Sequence, residues 1–113
     1  MDSIQRYEIL YTQSAIEDIE EKADYIAVQF RDPALAERWY SRLREQIQED
    51  LTTFPEKYPL YDMAPWRERG IRLFITRNDV VLYSVAPDAP IVYIRGVCTR
   101  GRDLSARLEE QEQ

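Results

Sequence analysis

Residues 70–76 (GIRLFIT) and 80–86 (VVLYSVA) are two apolar, β-branched runs separated by only three residues, Arg77-Asn78-Asp79. A connection that short joins strands as a β-hairpin, so this part of the chain must form antiparallel sheet. A third run, 91–97, follows across Pro87-Asp88-Ala89-Pro90 and adds another antiparallel strand. Arg72 sits inside the first of these strands, among large apolar neighbours, and calls for an explanation.

Upstream, residues 7–12 (YEILYT) carry the β-branched and aromatic content of a first strand. Ser14 and Glu17 have the spacing of a capping box. From there Ala15, Ile16, Ile19, Ala23, Ile26, Ala27 and Phe30 recur at helical spacing, while Glu17, Asp18, Glu20, Glu21 and Lys22 read as the solvated face. Asp32-Pro33 is a second helix start, with Asp as cap and Pro where its missing N–H costs nothing. Ala36, Trp39, Tyr40, Leu43, Ile47, Leu51 and Phe54 then mark one face of a helix of about 20 residues, against about 16 for the first. A link of about two residues makes the pair an antiparallel helical hairpin. Pro55, Pro59 and Pro65 turn residues 54–69 into a crossing loop. Residues 102–108 read as one or two last helical turns before a charged tail. The order β-α-α-β-β-β is α+β: a helical hairpin on one face of an antiparallel sheet, whose other face and edges stay open. Residues 1–113 form a single domain, with its core between about 7 and 108.

Composition narrows the chemistry. There is no His, which removes the commonest general base near neutral pH and the commonest metal ligand. The single cysteine, Cys98, forms no internal disulfide or thiolate zinc site, so no metal or cofactor is expected and a reducing compartment fits. Met1 to Arg6 lack the apolar core of a signal peptide, and a cytoplasmic protein is expected. The net charge of −6 argues against nucleic acid as the main partner, but its distribution is uneven. Residues 1–65 hold 7 basic and 14 acidic side chains, whereas residues 66–102 hold 7 arginines against 3 acids. The positive charge lies on the sheet half, and all of it is arginine, the residue suited to forked contacts with carboxylate or phosphate.

Tyr11-Thr12 leading into Ala15 and Asp18-Ile19, then Asp24-Tyr25-Ile26, Phe54-Pro55, Gly70-Ile71-Arg72, Val81-Leu82-Tyr83-Ser84-Val85, Ile94-Arg95-Gly96-Val97 and Arg102-Asp103 together resemble the RelE/ParE superfamily of toxins from bacterial type II toxin–antitoxin modules. The joint order and spacing carry the likeness, which spans about residues 7–108. It implies a toxin neutralised by a cognate antitoxin, whose C-terminal segment folds as it wraps the sheet and the hairpin groove. Higher assemblies with the antitoxin are compatible with this. The superfamily divides by target: RelE-like members cut mRNA on the ribosome, and ParE-like members act on DNA gyrase without being nucleases. The long helical hairpin looks more ParE-like.

Within that resemblance a nuclease would draw its catalytic groups from Arg72, Arg95, Arg100 and Arg102. No histidine, no tyrosine after Tyr93 and only two lysines are present to complete an acid–base set or an RNA grip. A ParE-like inhibitor of gyrase is therefore the leading expectation, with a ribosome-dependent mRNA endonuclease and a non-toxic antitoxin-binding relic as alternatives. Target or antitoxin contacts are expected from Arg72, Trp66, Arg67, Arg69, Tyr83, Arg95, Arg100 and Arg102. Trp66 is the expected partly exposed anchor, and Arg72 the group that antitoxin carboxylates would neutralise. The bland readings stand beside these: Arg72 paired or covering the sheet, Tyr83 in the core, and the segment from Arg100 to Arg102 a solvated turn.

Overall fold

A computed structural model describes residues 4–101. Strand β1 (Glu8–Tyr11) leads into helix α1 (Gln13–Gln29), helix α2 (Pro33–Leu51) and a short 3-10 turn (Pro55–Lys57). The chain then forms β2 (Arg72–Ile75), β3 (Asp79–Val85) and β4 (Ile91–Thr99). The sheet order is β1-β4-β3-β2. Strands β2, β3 and β4 pair antiparallel, as the short connections require, while β1 lies parallel to β4 with Tyr11 opposite Ile94. The sheet is thus mixed: the helical hairpin between β1 and the rest supplies the long crossover that a parallel partner needs.

Local chemistry explains the boundaries. Helix α1 starts at Gln13 and is capped by Thr12, whose Oγ1 accepts the Ala15 N–H at 3.2 Å; the Ser14–Glu17 capping box does not form. Thr12 is also held to β4, donating from both its N–H and its hydroxyl to the Ile94 carbonyl. That tether fixes the cap two residues earlier than local sequence implies. Arg31 closes α1 in a left-handed conformation, and Asp32 caps α2 through the Leu35 N–H with Pro33 in the first turn, as read from the sequence. The second helix ends at Leu51, so Phe54 is not part of its apolar face and stands 67% exposed. Gly70, at φ +76°, turns the chain just before β2 begins at Arg72, a left-handed conformation that would strain a residue with a side chain.

The helices cover one face of the sheet and bury Ile19, Leu43, Ile47 and Leu51 against Phe74, Val81, Tyr83, Val92 and Ile94. Each such side chain contributes roughly 1.5–3 kcal/mol on removal from water. The opposite face is in part closed, contrary to the sequence expectation. The loop before β2 folds back over it, and Trp66 and Ile71 pack on Val80, Leu82 and Cys98. Backbone bonds hold that loop in place: Tyr61 N–H to the Ile71 carbonyl at 2.7 Å and Leu73 N–H to the Pro59 carbonyl at 3.1 Å. Two charged residues assigned to the solvated face of α1 also turn inward. Asp18, spaced with Ala15, Ile19, Lys22 and Ile26 on the buried side, accepts the Val97 N–H at 2.9 Å. That amide lies beyond the end of β1, where β4 keeps β3 on one edge and has no strand on the other. Lys22 pairs with buried Asp79 and donates to Thr99 at 3.0 Å, while Trp39 Nε1 donates to the other Asp79 oxygen at 2.9 Å. This clasp ties both helices to the ends of β3 and β4. Among the described residues, no helix is long and apolar enough to cross a membrane.

Candidate functional site

Arg72 opens β2 opposite Tyr83 on β3, and the two side chains share the helix-covered face at one end of the sheet. Both reach the loop that leaves α2. Arg72 Nη1 donates to the carbonyls of Glu56 at 3.0 Å and Tyr58 at 2.7 Å, and the Tyr83 hydroxyl donates to the Pro55 carbonyl at 2.6 Å. Three loop carbonyls within four residues are thereby satisfied by two side chains. Tyr83 has no exposed surface, and burial pushes its phenol well above the ordinary tyrosine range, against the opposing pull of the Arg72 charge. It is a core residue, and its place among the expected binding contacts is corrected accordingly.

Arg72 also lines an open cleft of about 500 Å³ together with Gln5, Tyr7, Glu56, Gly70 and, from the turn after β3, Val85, Ala86, Pro87, Ala89 and Pro90. Tyr58 stacks on Phe74 beneath this region at a centroid distance of 5.0 Å. The cleft brings the Arg72 guanidinium together with Gln5, Tyr7 and Glu56 opposite small apolar residues, a largely polar setting in which an acidic side chain could dock beside Arg72.

Among the described residues, the remaining arginines do not converge on Arg72. Arg95 is exposed on the opposite face, where its Nε donates to Ser84 Oγ at 3.0 Å and its guanidinium lies 5.1 Å from the Tyr93 ring centroid. A register shift at Leu82/Tyr83 sets Arg95 there, because it breaks the pairing opposite β4. Arg100 lies at the far end of the sheet, donating to the Arg77 carbonyl at 3.2 Å. Four residues of β3 separate that end from Tyr83, roughly 13 Å along the strand. Arg67 pairs with Asp62 at 2.5 Å, and Arg69 lies over the Trp66 ring at 5.1 Å. Trp66 itself is 4% exposed. It anchors its own loop to the sheet and is not the exposed anchor expected from sequence, because its indole fills the face that seemed open. Arg102 and the helical turns expected after it lie outside the described residues.

The predicted set therefore splits into a half-buried Arg72 at the cleft, Arg67 and Arg69 around the buried Trp66, Arg95 with Tyr93 on the uncovered part of the sheet, and Arg100 at the distant turn. A second aromatic–cation cluster was not anticipated. Arg44 on α2 lies between the rings of Tyr11 and Tyr40, 5.5 and 5.6 Å from their centroids, and its Nη1 donates to the Tyr40 hydroxyl at 3.0 Å. Burial raises the Tyr11 phenol, with Arg44 pulling the other way. The i, i+4 spacing of Tyr40 and Arg44 was the available signal.

Similar folds exist among solved structures. A chain of the chromosomal ParDE toxin–antitoxin system from P. aeruginosa superposes with a TM-score of 0.66 at 16% identity, covering 84% of this chain and 97% of that one. A chain of the toxin–antitoxin complex RelBE2 from Mycobacterium tuberculosis gives 0.66 at 18% identity, covering 90% and 100%. No curated protein matches by sequence. Residues 9–104, from the first strand through the whole sheet, match the family described as the ParE toxin of the type II toxin–antitoxin system parDE, and the chain belongs to that family.

Proposed function

We propose that this ParE-family toxin inhibits DNA gyrase in the cytoplasm without cutting RNA, and that a cognate antitoxin holds it inactive. The observation that carries the reading is the engagement of Arg72. One of its terminal nitrogens is bound to two backbone carbonyls, and Arg95 points from the other face, so among the described residues no pair of arginines converges on one phosphate. Phosphoryl cleavage without a metal needs such convergent charge together with an acid and a base. The arginine-rich sheet half offers instead a docking surface for an acidic antitoxin segment that folds on binding. Arg72 at the cleft and Arg95 beside Tyr93 are its expected ion-pair partners.

The test is supercoiling by gyrase from the host, assayed with purified toxin alone and with the antitoxin added. Inhibition that the antitoxin reverses is expected; supercoiling untouched at toxin in large excess overturns the reading. One observation favours a ribosome-dependent nuclease as a second reading: Arg72 and Glu56 line the same cleft and would place a cation beside a carboxylate base. That reading requires translation-dependent mRNA cuts after induction, lost in Arg72→Gln, and intact transcripts eliminate it.

A further inference from the structure

The helical hairpin is longer than the sheet it covers. Lys22 reaches Asp79 and Thr99, the residues that end β3 and β4, and Trp39 reaches the same Asp79. Seven residues of α1 follow Lys22, so roughly 10 Å of helix projects past the strands at ~1.5 Å per residue. The overhang has a small interior of its own, with Ile26 and Ala36 buried. Its outside is unusual. Tyr25, Val28 and Phe30 are 63%, 77% and 60% exposed, three large apolar side chains within six residues. Tyr25 and Val28, three apart, share one side of the helix. Scattered single apolar residues need no explanation, but a cluster on a projecting tip marks a contact surface.

Acidic side chains outnumber basic ones around the tip: the exposed Arg31 and Arg38, the latter 3.8 Å from Asp32, leave the α1 acids uncompensated. Glu20, Glu21 and Asp24 are exposed, and among the described residues none of the three is in an ion pair. The one lysine of α1, Lys22, is turned inward to Asp79 and does not offset them. Like charges three and four residues apart weaken a helix, so the collar costs stability where no partner is bound.

We propose that the hairpin tip is where this toxin grips the protein it disables, an apolar knob with an acidic collar entering an apolar pocket rimmed by lysine and arginine. This rests on the reading that the toxin acts on a protein target. Charge complementarity separates the two partners. An acidic antitoxin segment suits the arginine-rich sheet half and is repelled by the collar, while a basic target surface suits the collar and is repelled by the arginines. The collar likewise repels nucleic acid.

Two variants test this: Tyr25→Ser/Val28→Ser/Phe30→Ser, which removes the knob, and Glu20→Lys/Glu21→Lys/Asp24→Lys, which reverses the collar. All six positions are exposed, so thermal melting should stay close to wild type. Growth arrest on induction, gyrase inhibition and antitoxin affinity are read together. Each variant should lose about tenfold or more in arrest and in inhibition, as for loss of a buried aromatic anchor, while antitoxin affinity changes less than about twofold. If wild type arrests growth but leaves gyrase untouched, and the variants fail to arrest growth, the gyrase reading falls and the tip proposal stands. Gyrase inhibition by both variants at wild-type potency overturns the tip proposal and leaves the gyrase reading in place. Loss of antitoxin binding together with toxicity, with melting unchanged, overturns the division of surfaces. Should the knob variant melt early, the collar variant decides.

Discussion

On one face of the sheet, two regular helices bury eleven residues in a continuous cluster; on the other, the irregular stretch before β2 buries five around Trp66. The helix side is held by the ladders of α1 and α2 and by the Lys22–Asp79–Trp39 clasp. The loop side depends on a few backbone bonds to β2, on Arg67 paired with Asp62 and on Arg69 over the Trp66 ring. Elements with few buried apolar neighbours and exposed hydrogen bonds open locally at less than the global free energy. The contrast separates a rigid frame, which carries the hairpin tip, from a cover that is free to loosen without unfolding the chain. Arg72 stands at their border: its side chain is on the helix face, and its strand is hydrogen-bonded to the loop at Pro59.

The largest effect should come from the frame. Ile47 has no exposed surface and lies at the centre of the helix-side cluster. Ile47→Ala should cost about 3–4 kcal/mol, because close-packed helices on a sheet relax little into a cavity. Chemical denaturation checks this through a lowered midpoint with an unchanged slope. A cost below about 1 kcal/mol would mean the frame is no more rigid than the cover.

Next comes the cover. A Trp→Ala change in a well-packed core costs about 3–5 kcal/mol, yet Trp66→Ala should cost only about 2–3, since its loop can resettle over Val80 and Leu82. Hydrogen exchange should be more sensitive than denaturation. The Tyr61 and Leu73 amides should lose protection in the variant while those of β3 and β4 keep theirs. Equal loss across both groups would show that the two faces unfold as one.

The same contrast explains what the sequence revealed. Helical periodicity exposes a frame and located both helices, while equally local signals, the Asp32-Pro33 cap and the short connections, located the second helix start and the antiparallel strands. The cover has no period, so Trp66 among prolines and arginines read as exposed although it closes the second face. Charge misled in the other direction. Asp18 and Lys22 lie on the same helical side as Ala15 and Ile26, but their burial depends on a β4 amide and on Asp79, which only the tertiary structure brings within reach. Parallel pairing of β1 with β4 is likewise non-local, joining the first strand to the last. Arg72 was legible as a special residue. Its task of binding the Glu56 and Tyr58 carbonyls was not, because nothing in β2 announces where the preceding loop will lie.

The smallest and most specific effect concerns the junction between frame and cover. Tyr83→Phe removes the hydroxyl that donates to the Pro55 carbonyl and should cost about 1–2 kcal/mol near neutral pH. Its signature is in alkali. Burial raises the Tyr83 phenol in the folded protein above its ordinary value of about 10, so between that pH and the folded-state value the unfolded chain has released a proton that the folded chain retains. Folding then binds the proton, and stability must fall as pH rises through that window, while the contribution is fully present below it. Denaturation midpoints should be flat from about pH 7 to 9 and decline above about 10. Tyr83→Phe should start lower and decline less steeply, with Tyr11, raised in the same direction by burial, sustaining part of the remaining slope. Parallel slopes for wild type and variant would show that Tyr83 ionises as freely in the folded chain as in the unfolded one, and that the seal between the α2 loop and the sheet opens at high pH before the frame does.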